Sequence, residues 1–158
     1  MVMTETQNLE FSIKVKCPQS ENPDAETRGY IAVDGKKIQD FSIVGATEQT
    51  VDFELSLEDA EHEISVHHTY SPDPMAACII ESITVDQIDL GIILYSGEYK
   101  PVYPEPWYSD ESAAGRTPRE VIGGKEANDG SMPLFMGWEG VYSLKFYTPL
   151  YEWLLDNL

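Results

Sequence analysis

The closing stretch, Gly140-Val-Tyr-Ser-Leu-Lys-Phe-Tyr-Thr-Pro-Leu-Tyr-Glu-Trp-Leu-Leu-Asp-Asn-Leu158, holds a strand, a stop and a helix in succession. Tyr142, Leu144 and Phe146 fall on one face and Ser143 and Lys145 on the other, the period of a half-buried β-strand. Thr148-Pro149 ends it. Proline cannot donate to a sheet ladder but suits the first helical position, with Thr148 as N-cap. Leu150, Trp153, Leu154 and Leu158 then share one face of a helix over 149–158. So short a helix is marginal alone in water, which predicts that it docks over an open end or an edge of the sheet holding the preceding strand.

The alternation recurs upstream. Leu9, Phe11, Ile13, Val15 and Cys17 alternate with Glu10, Ser12, Lys14 and Lys16, and Pro18 closes the run. A polar loop over 19–27 leads to a strand from Gly29 to Val33. The turn Asp34-Gly35 follows, where glycine tolerates the positive φ of a tight hairpin, and Ile38, Phe41 and Ile43 carry the return strand. Val51, Phe53, Leu55 and Leu57 mark another strand, and Ile64, Val66, His68 and Tyr70 the next, before the break at Ser71-Pro72-Asp73-Pro74. Ile83-Thr-Val-Asp-Gln-Ile-Asp-Leu90 echoes Ile31-Ala-Val-Asp-Gly-Lys-Lys-Ile38, so both read as hairpins with an aspartate entering the turn. About eight or nine short strands, and no helix before residue 110, predict an all-β fold: an antiparallel β-sandwich, jelly-roll-like, with a short C-terminal helix. Residues 1–8 read as a tail and 9–158 as a single domain. Its one long loop, 109–131, is poor in apolar residues and is expected to cross the surface with a turn of helix at Pro118 to Val121.

Charge bounds the partners. Against 10 Lys and Arg stand 28 Asp and Glu, a net −18 in 158 residues, which repels phosphate backbones and argues against nucleic acid. No apolar run approaches the ~20 residues of a membrane span, and the polar start lacks the features of a signal peptide. Cys17 and Cys78 read as two buried free thiols rather than a disulfide, as expected of a chain made in a reducing cytoplasm.

No catalytic motif stands out. His62, His67 and His68 are close in sequence, but neighbouring strand residues face opposite ways, so His67 and His68 do not converge on one metal. HExxH, CxxC and phosphate-loop patterns are absent, and pairs such as Glu105 with Asp110 arise by chance among so many carboxylates, which argues against an enzyme. Asp86 and Asp89, near hairpin turns, are hard oxygen ligands suited to calcium; the alternative is that they bond their own backbone.

The distinctive local feature is Tyr95-Ser-Gly-Glu-Tyr-Lys-Pro-Val-Tyr-Pro-Glu-Pro-Trp-Tyr108. Tyr95, Tyr99, Tyr103, Trp107 and Tyr108 recur on a segment whose prolines favour an extended, polyproline-like course. Three readings stay open: the rings cover the chain's own sandwich, grip another protein chain, or stack against sugar rings.

Ile83-x-Val85-Asp86 with Leu90-Gly91, then Tyr103-Pro-Glu-Pro-Trp107, then Gly137-Trp-Glu-Gly-Val-Tyr-Ser-Leu-Lys-Phe-Tyr147 and the closing helix resemble a group of small uncharacterised proteins of tailed phages of marine cyanobacteria. The hairpin-rich part also resembles jelly-roll carbohydrate-binding modules, including the calcium-dependent xylan-binding type. The first resemblance implies a non-enzymatic, virion-associated structural or accessory protein, made in the host cytoplasm, whose ring segment contacts virion components or a second copy. The second implies the alternative, a carbohydrate-binding module for polysaccharide that uses calcium; neither resemblance assigns a site residue.

Overall fold

The computed structural model describes residues 5–17, 26–45, 47–70, 77–123 and 133–157. The loop expected at 19–27 lies almost wholly outside them, as do the break at 71–74, Leu158 and the end of the long loop. Among the described residues eleven strands form two antiparallel sheets. They are β1 (Thr6–Lys16), β2 (Glu26–Val33), β3 (Lys36–Val44), β4 (Glu48–Glu58), β5 (Glu61–Tyr70), β6 (Cys78–Val85), β7 (Ile88–Asp89), β8 (Glu98–Pro101), β9 (Ile122–Gly123), β10 (Phe135–Met136) and β11 (Gly140–Tyr147). One sheet runs β10-β6-β1-β4, with β7 folded back on β6; the other runs β3-β2-β5-β11-β8-β9.

The alternation places the core. Leu9, Phe11, Ile13 and Val15 of β1 meet Tyr142, Leu144 and Phe146 of β11 between the sheets, all of them buried. The Phe11 and Phe146 rings lie 6.2 Å apart across the gap. β1 begins at Thr6, so part of the expected 1–8 tail is strand: Thr6 pairs with Glu58, Gln7 with Leu57 and Asn8 with Ser56. Cys17 and Cys78 are free and buried, and burial pushes the Cys78 thiol up to about 12, far from a reactive thiolate.

Both expected hairpins form. Asp34 (φ 52°) and Gly35 (φ 80°) turn β2 into β3, and Asp86 (φ 49°) and Gln87 (φ 65°) turn β6 into β7. Gly29 is required for a different reason. It sits beside a bulge in the β2–β5 register, where a Cβ would lie 1.9 Å from the His67 carbonyl oxygen and 2.6 Å from the Phe41 ring. Gly29→Ala is therefore expected to split the β2–β5 pairing and cost more than about 3 kcal/mol, read as a drop in the urea midpoint.

The C-terminal helix, α2 (Leu150–Asn157), caps one end of the sandwich with Leu150, Trp153 and Leu154 buried. Its cap differs from the expected one. The Thr148 hydroxyl donates to the Glu58 carbonyl at 2.6 Å and so ties the chain to the β4–β5 turn, while the Gln7 side-chain carbonyl accepts the Leu150 N–H at 2.8 Å. Pro149 lies just before the helix, its carbonyl accepting from Glu152 at 3.2 Å. A local pattern shows that a cap is needed, but β1 supplies it from the other end of the sequence.

His62 knots the same end together. It is nearly buried, with Nδ1 2.6 Å from Asp34 Oδ2 and Nε2 2.7 Å from the Glu58 carbonyl oxygen, so only the doubly protonated ring donates to both acceptors. Burial alone lowers its pKa, but the Glu58 carbonyl and the Asp34 carboxylate outweigh burial and hold it above the ordinary value. A raised folded-state pKa stabilises fully below the unfolded value, about 6.5, and that contribution is lost as pH rises through the folded value. His67, pushed down by burial with Glu63 opposing, contributes with the opposite sign. The difference in melting temperature between wild type and His62→Gln is therefore expected to be largest below pH 6.5 and to shrink as pH rises; a difference that does not change with pH would contradict the ion pair.

Candidate functional site

At the opposite end of β11 from α2, the chain leaves β8 at Pro101 and Val102 N–H donates to the Glu139 carbonyl at 2.7 Å. Tyr103 follows, and the helix α1 (Trp107–Ala113) begins directly after Pro106. An extended course through Tyr108 was expected from the three prolines; instead each stands where no N–H is needed. Pro101 ends a strand, the Pro104 carbonyl accepts the Tyr108 N–H at 3.0 Å, and Pro106 stands just before the first turn. Helix therefore appears before residue 110, as α1 and as a 3-10 helix over Gly91–Ser96, and the expected turn of helix at Pro118 to Val121 is irregular chain.

Tyr103 is the hub of a ring cluster. Its centroid lies 5.6 Å from Trp107, 5.8 Å from Tyr108 and 6.2 Å from Trp138, and Trp107 lies 5.3 Å from Trp138. Its hydroxyl donates to the Arg119 carbonyl at 2.7 Å, drawing the chain after α1 back onto the cluster; burial, with Tyr108 adding to it, raises the phenol's pKa. Trp138 is held from behind. Its N–H donates to the Tyr99 hydroxyl at 3.1 Å, Tyr99 donates back to its carbonyl, and His68 Nδ1 lies 3.1 Å from that carbonyl oxygen. Trp107 is 39 % exposed and the other three rings are half-buried, so a cluster of mutually inclined rings, Trp107 at 36° to Trp138 and Tyr103 at 72° to it, is left partly open to solvent on a fixed backing.

Of the five aromatics expected as a partner- or glycan-binding set, Tyr103, Trp107 and Tyr108 lie together in one ring cluster. Tyr99 belongs to the core at 1 % exposure, because it lies on the inward register of β8 opposite Tyr142. Burial raises its pKa despite the Trp138 hydrogen bond. Tyr95 lies on the 3-10 helix and shares no ring contact with the cluster among the described residues. Trp138 was missed. Its sequence signal is a tryptophan two residues before the first residue of a strand, at the point where β11 enters beside β8.

Of the two aspartates expected as calcium ligands, Asp89 bonds the backbone of its own turn, whereas Asp86 ties its turn to the backbone of β1. Asp86 Oδ1 accepts the Glu10 N–H at 2.8 Å, and Asp89 Oδ1 accepts the Gly91 N–H at 2.9 Å. Among the described residues no group of three His, Cys, Asp or Glu side chains comes together to hold a metal ion. Melting with and without calcium tests the calcium reading directly: a rise in melting temperature on adding calcium would show that the folded protein binds it. Among the described residues no helix is long and apolar enough to cross a membrane.

No family model and no curated protein matches this chain. A solved structure of vCBM60, described with two families of calcium-dependent carbohydrate binding modules linked by circular permutation, resembles it at a TM-score of 0.48 and 14% identity, covering 85% of this chain and 88% of that one.

Proposed function

We propose that this protein is a non-enzymatic carbohydrate-binding domain that stacks sugar rings on the Tyr103, Trp107, Tyr108 and Trp138 surface. The observation that carries this reading is the cluster itself: four aromatic rings, from two separate stretches of chain, held by backbone hydrogen bonds and left partly open to water. An aromatic ring that merely fills a core is buried, as Tyr99 and Tyr142 are. Exposed rings retain hydration that a sugar's apolar C–H face displaces, and their fixed orientation lowers the ordering cost of binding. The chain would then act as a targeting or adhesive module, with no bond made or broken.

Contact with another protein is the second reading, favoured by Val102, 65 % exposed beside Tyr103. Nothing in the sheets, the rings or the comparisons ties that contact to a virion. Sedimentation with insoluble polysaccharides separates the two readings. Depletion of the wild-type protein, with the Trp138→Ala protein left in solution, supports glycan stacking; no depletion by any polysaccharide, together with self-association that the same substitution abolishes, would replace it with the protein interface.

A further inference from the structure

Cys17 and Cys78 are far apart in sequence and side by side in the fold. The antiparallel register of β1 and β6 sets Lys16 against Ile79, so Cys17 and Cys78 are the next residues to face each other. The chain keeps its extended course through Cys17, whose N–H donates to the Thr47 carbonyl at 3.1 Å and so continues the pairing of Lys16 with Glu48. Alternation turns both sulfurs to the inner face, where Val15 and Cys17 of one strand and Cys78 and Ile80 of the other are all buried. A second contact gives the same placement. The Thr27 hydroxyl lies 3.7 Å from Cys17 Sγ and 3.3 Å from the carbonyl oxygen of Ala77, the residue before Cys78. Part of the rise in the Cys78 pKa comes from Cys17 beside it. Opposite residues of antiparallel strands have Cα atoms about 4.5 or 5.5 Å apart, and a disulfide spans about 4.4–6.8 Å, so the bond needs no change of register.

We infer that Cys17 and Cys78 are a redox-sensitive pair that closes to a disulfide when a small disulfide oxidant is supplied, stapling β1 to β6. The thiolate of one cysteine attacks the oxidant RSSR, which forms a mixed disulfide and releases RS⁻. The thiolate of the other then attacks the protein sulfur of that mixed disulfide and releases the second RS⁻. Both cysteine protons end on the released thiolates, so the protein gives up two hydrogens with their electrons and RSSR becomes two RSH. Burial keeps the Cys78 thiol protonated at neutral pH, which makes this exchange slow in the closed fold and favours closure while the chain folds. The staple lies at the end of the sandwich that carries the rings. Cys78 pairs with Met136, two residues before Trp138, whereas Gln7, at the other end of β1, meets the C-terminal helix. The bond requires no sugar and is independent of the carbohydrate-binding reading.

The test refolds the full chain from urea, with both thiols reduced, in mixtures of reduced and oxidised glutathione, so that burial does not withhold either sulfur from the oxidant. The expected product is a monomer lighter by two hydrogens, with no thiol left to titrate in denaturant. Its melting temperature is expected to lie roughly 5–15 °C above that of the reduced protein, because the bond constrains a long loop of the unfolded chain. Reduction with dithiothreitol in denaturant, followed by refolding, is expected to restore the lower value. Cys17→Ala and Cys78→Ala, each compared only with itself, are expected to lose no hydrogens and to melt alike in reducing and oxidising mixtures. Two free thiols after refolding overturn the inference. So does a glutathione adduct or a disulfide-linked dimer as the final product, either of which would mean that the two sulfurs do not meet within one chain. A disulfide that lowers the melting temperature overturns it as well, since the native register would then not accommodate the bond.

Discussion

Trp153→Ala is expected to destabilise the fold by about 3–5 kcal/mol, a fall in melting temperature of roughly 6–20 °C for a chain of this size. The helix that carries it has eight residues and no independent stability, so its order comes from docking. Trp153 is 4 % exposed and meets the Phe146 ring edge-on at 6.0 Å, and Phe146 in turn meets Phe11 of the other sheet. Removing the indole opens a void where two sheets and a helix converge, and β1 and β11 are long paired strands that cannot collapse into it. Hydrogen bonds from the Thr148 hydroxyl to Glu58 and from Leu150 to Gln7 keep the helix start in place, so the void is not closed by sliding the helix. Leu155, 73 % exposed on the same helix, is the control: its alanine substitution is expected to change stability by less than about 0.5 kcal/mol. Similar small effects for both, in urea melts, would mean that the helix is not part of the core.

Trp107→Ala is expected to do the reverse. The side chain is 39 % exposed, and its ring contacts are with Tyr103 and Trp138, which keep their own backbone anchors. Stability is expected to change by less than about 1 kcal/mol, while affinity for a stacked polysaccharide falls about thirtyfold, the effect of losing an interface anchor worth about 2 kcal/mol. Losing fold and binding together would make the indole a structural ring.

The contrast between these two tryptophans shows how far the sequence could be read. Trp153 is legible because Leu150, Trp153 and Leu154 share a helical face immediately after a strand whose own alternation is unbroken. Leu9 to Cys17 and the Asp34-Gly35 turn are legible for the same reason: the signal spans a few neighbouring residues and the backbone period converts it directly into burial. The ring cluster is not local. Tyr103 and Trp138 meet because β8 and β11 pair, a register that no alternation within either strand specifies. Tyr99 resembles its neighbours in the aromatic run, yet it lies on β8 with its ring in the core, while Tyr103, four residues on, lies beyond the strand's end at Pro101. The prolines misled for a related reason. Their missing N–H groups exclude a helix interior, but Pro106 stands before the helix, where that loss has no consequence. Gln7 gave no sign that it would accept the Leu150 N–H, because the partner is supplied only when β1 lies beside the C-terminal helix.

The most direct test of the central claim is the melting temperature of wild type and Trp107→Ala with and without saturating soluble polysaccharide. A ligand that binds the folded state must raise its melting temperature by mass action. The account predicts a rise of several degrees for wild type and little or none for Trp107→Ala, with both proteins melting alike when no sugar is present. An equal rise in the two proteins would place the sugar elsewhere on the molecule, and no rise in wild type with any polysaccharide would contradict the claim that the aromatic surface binds carbohydrate.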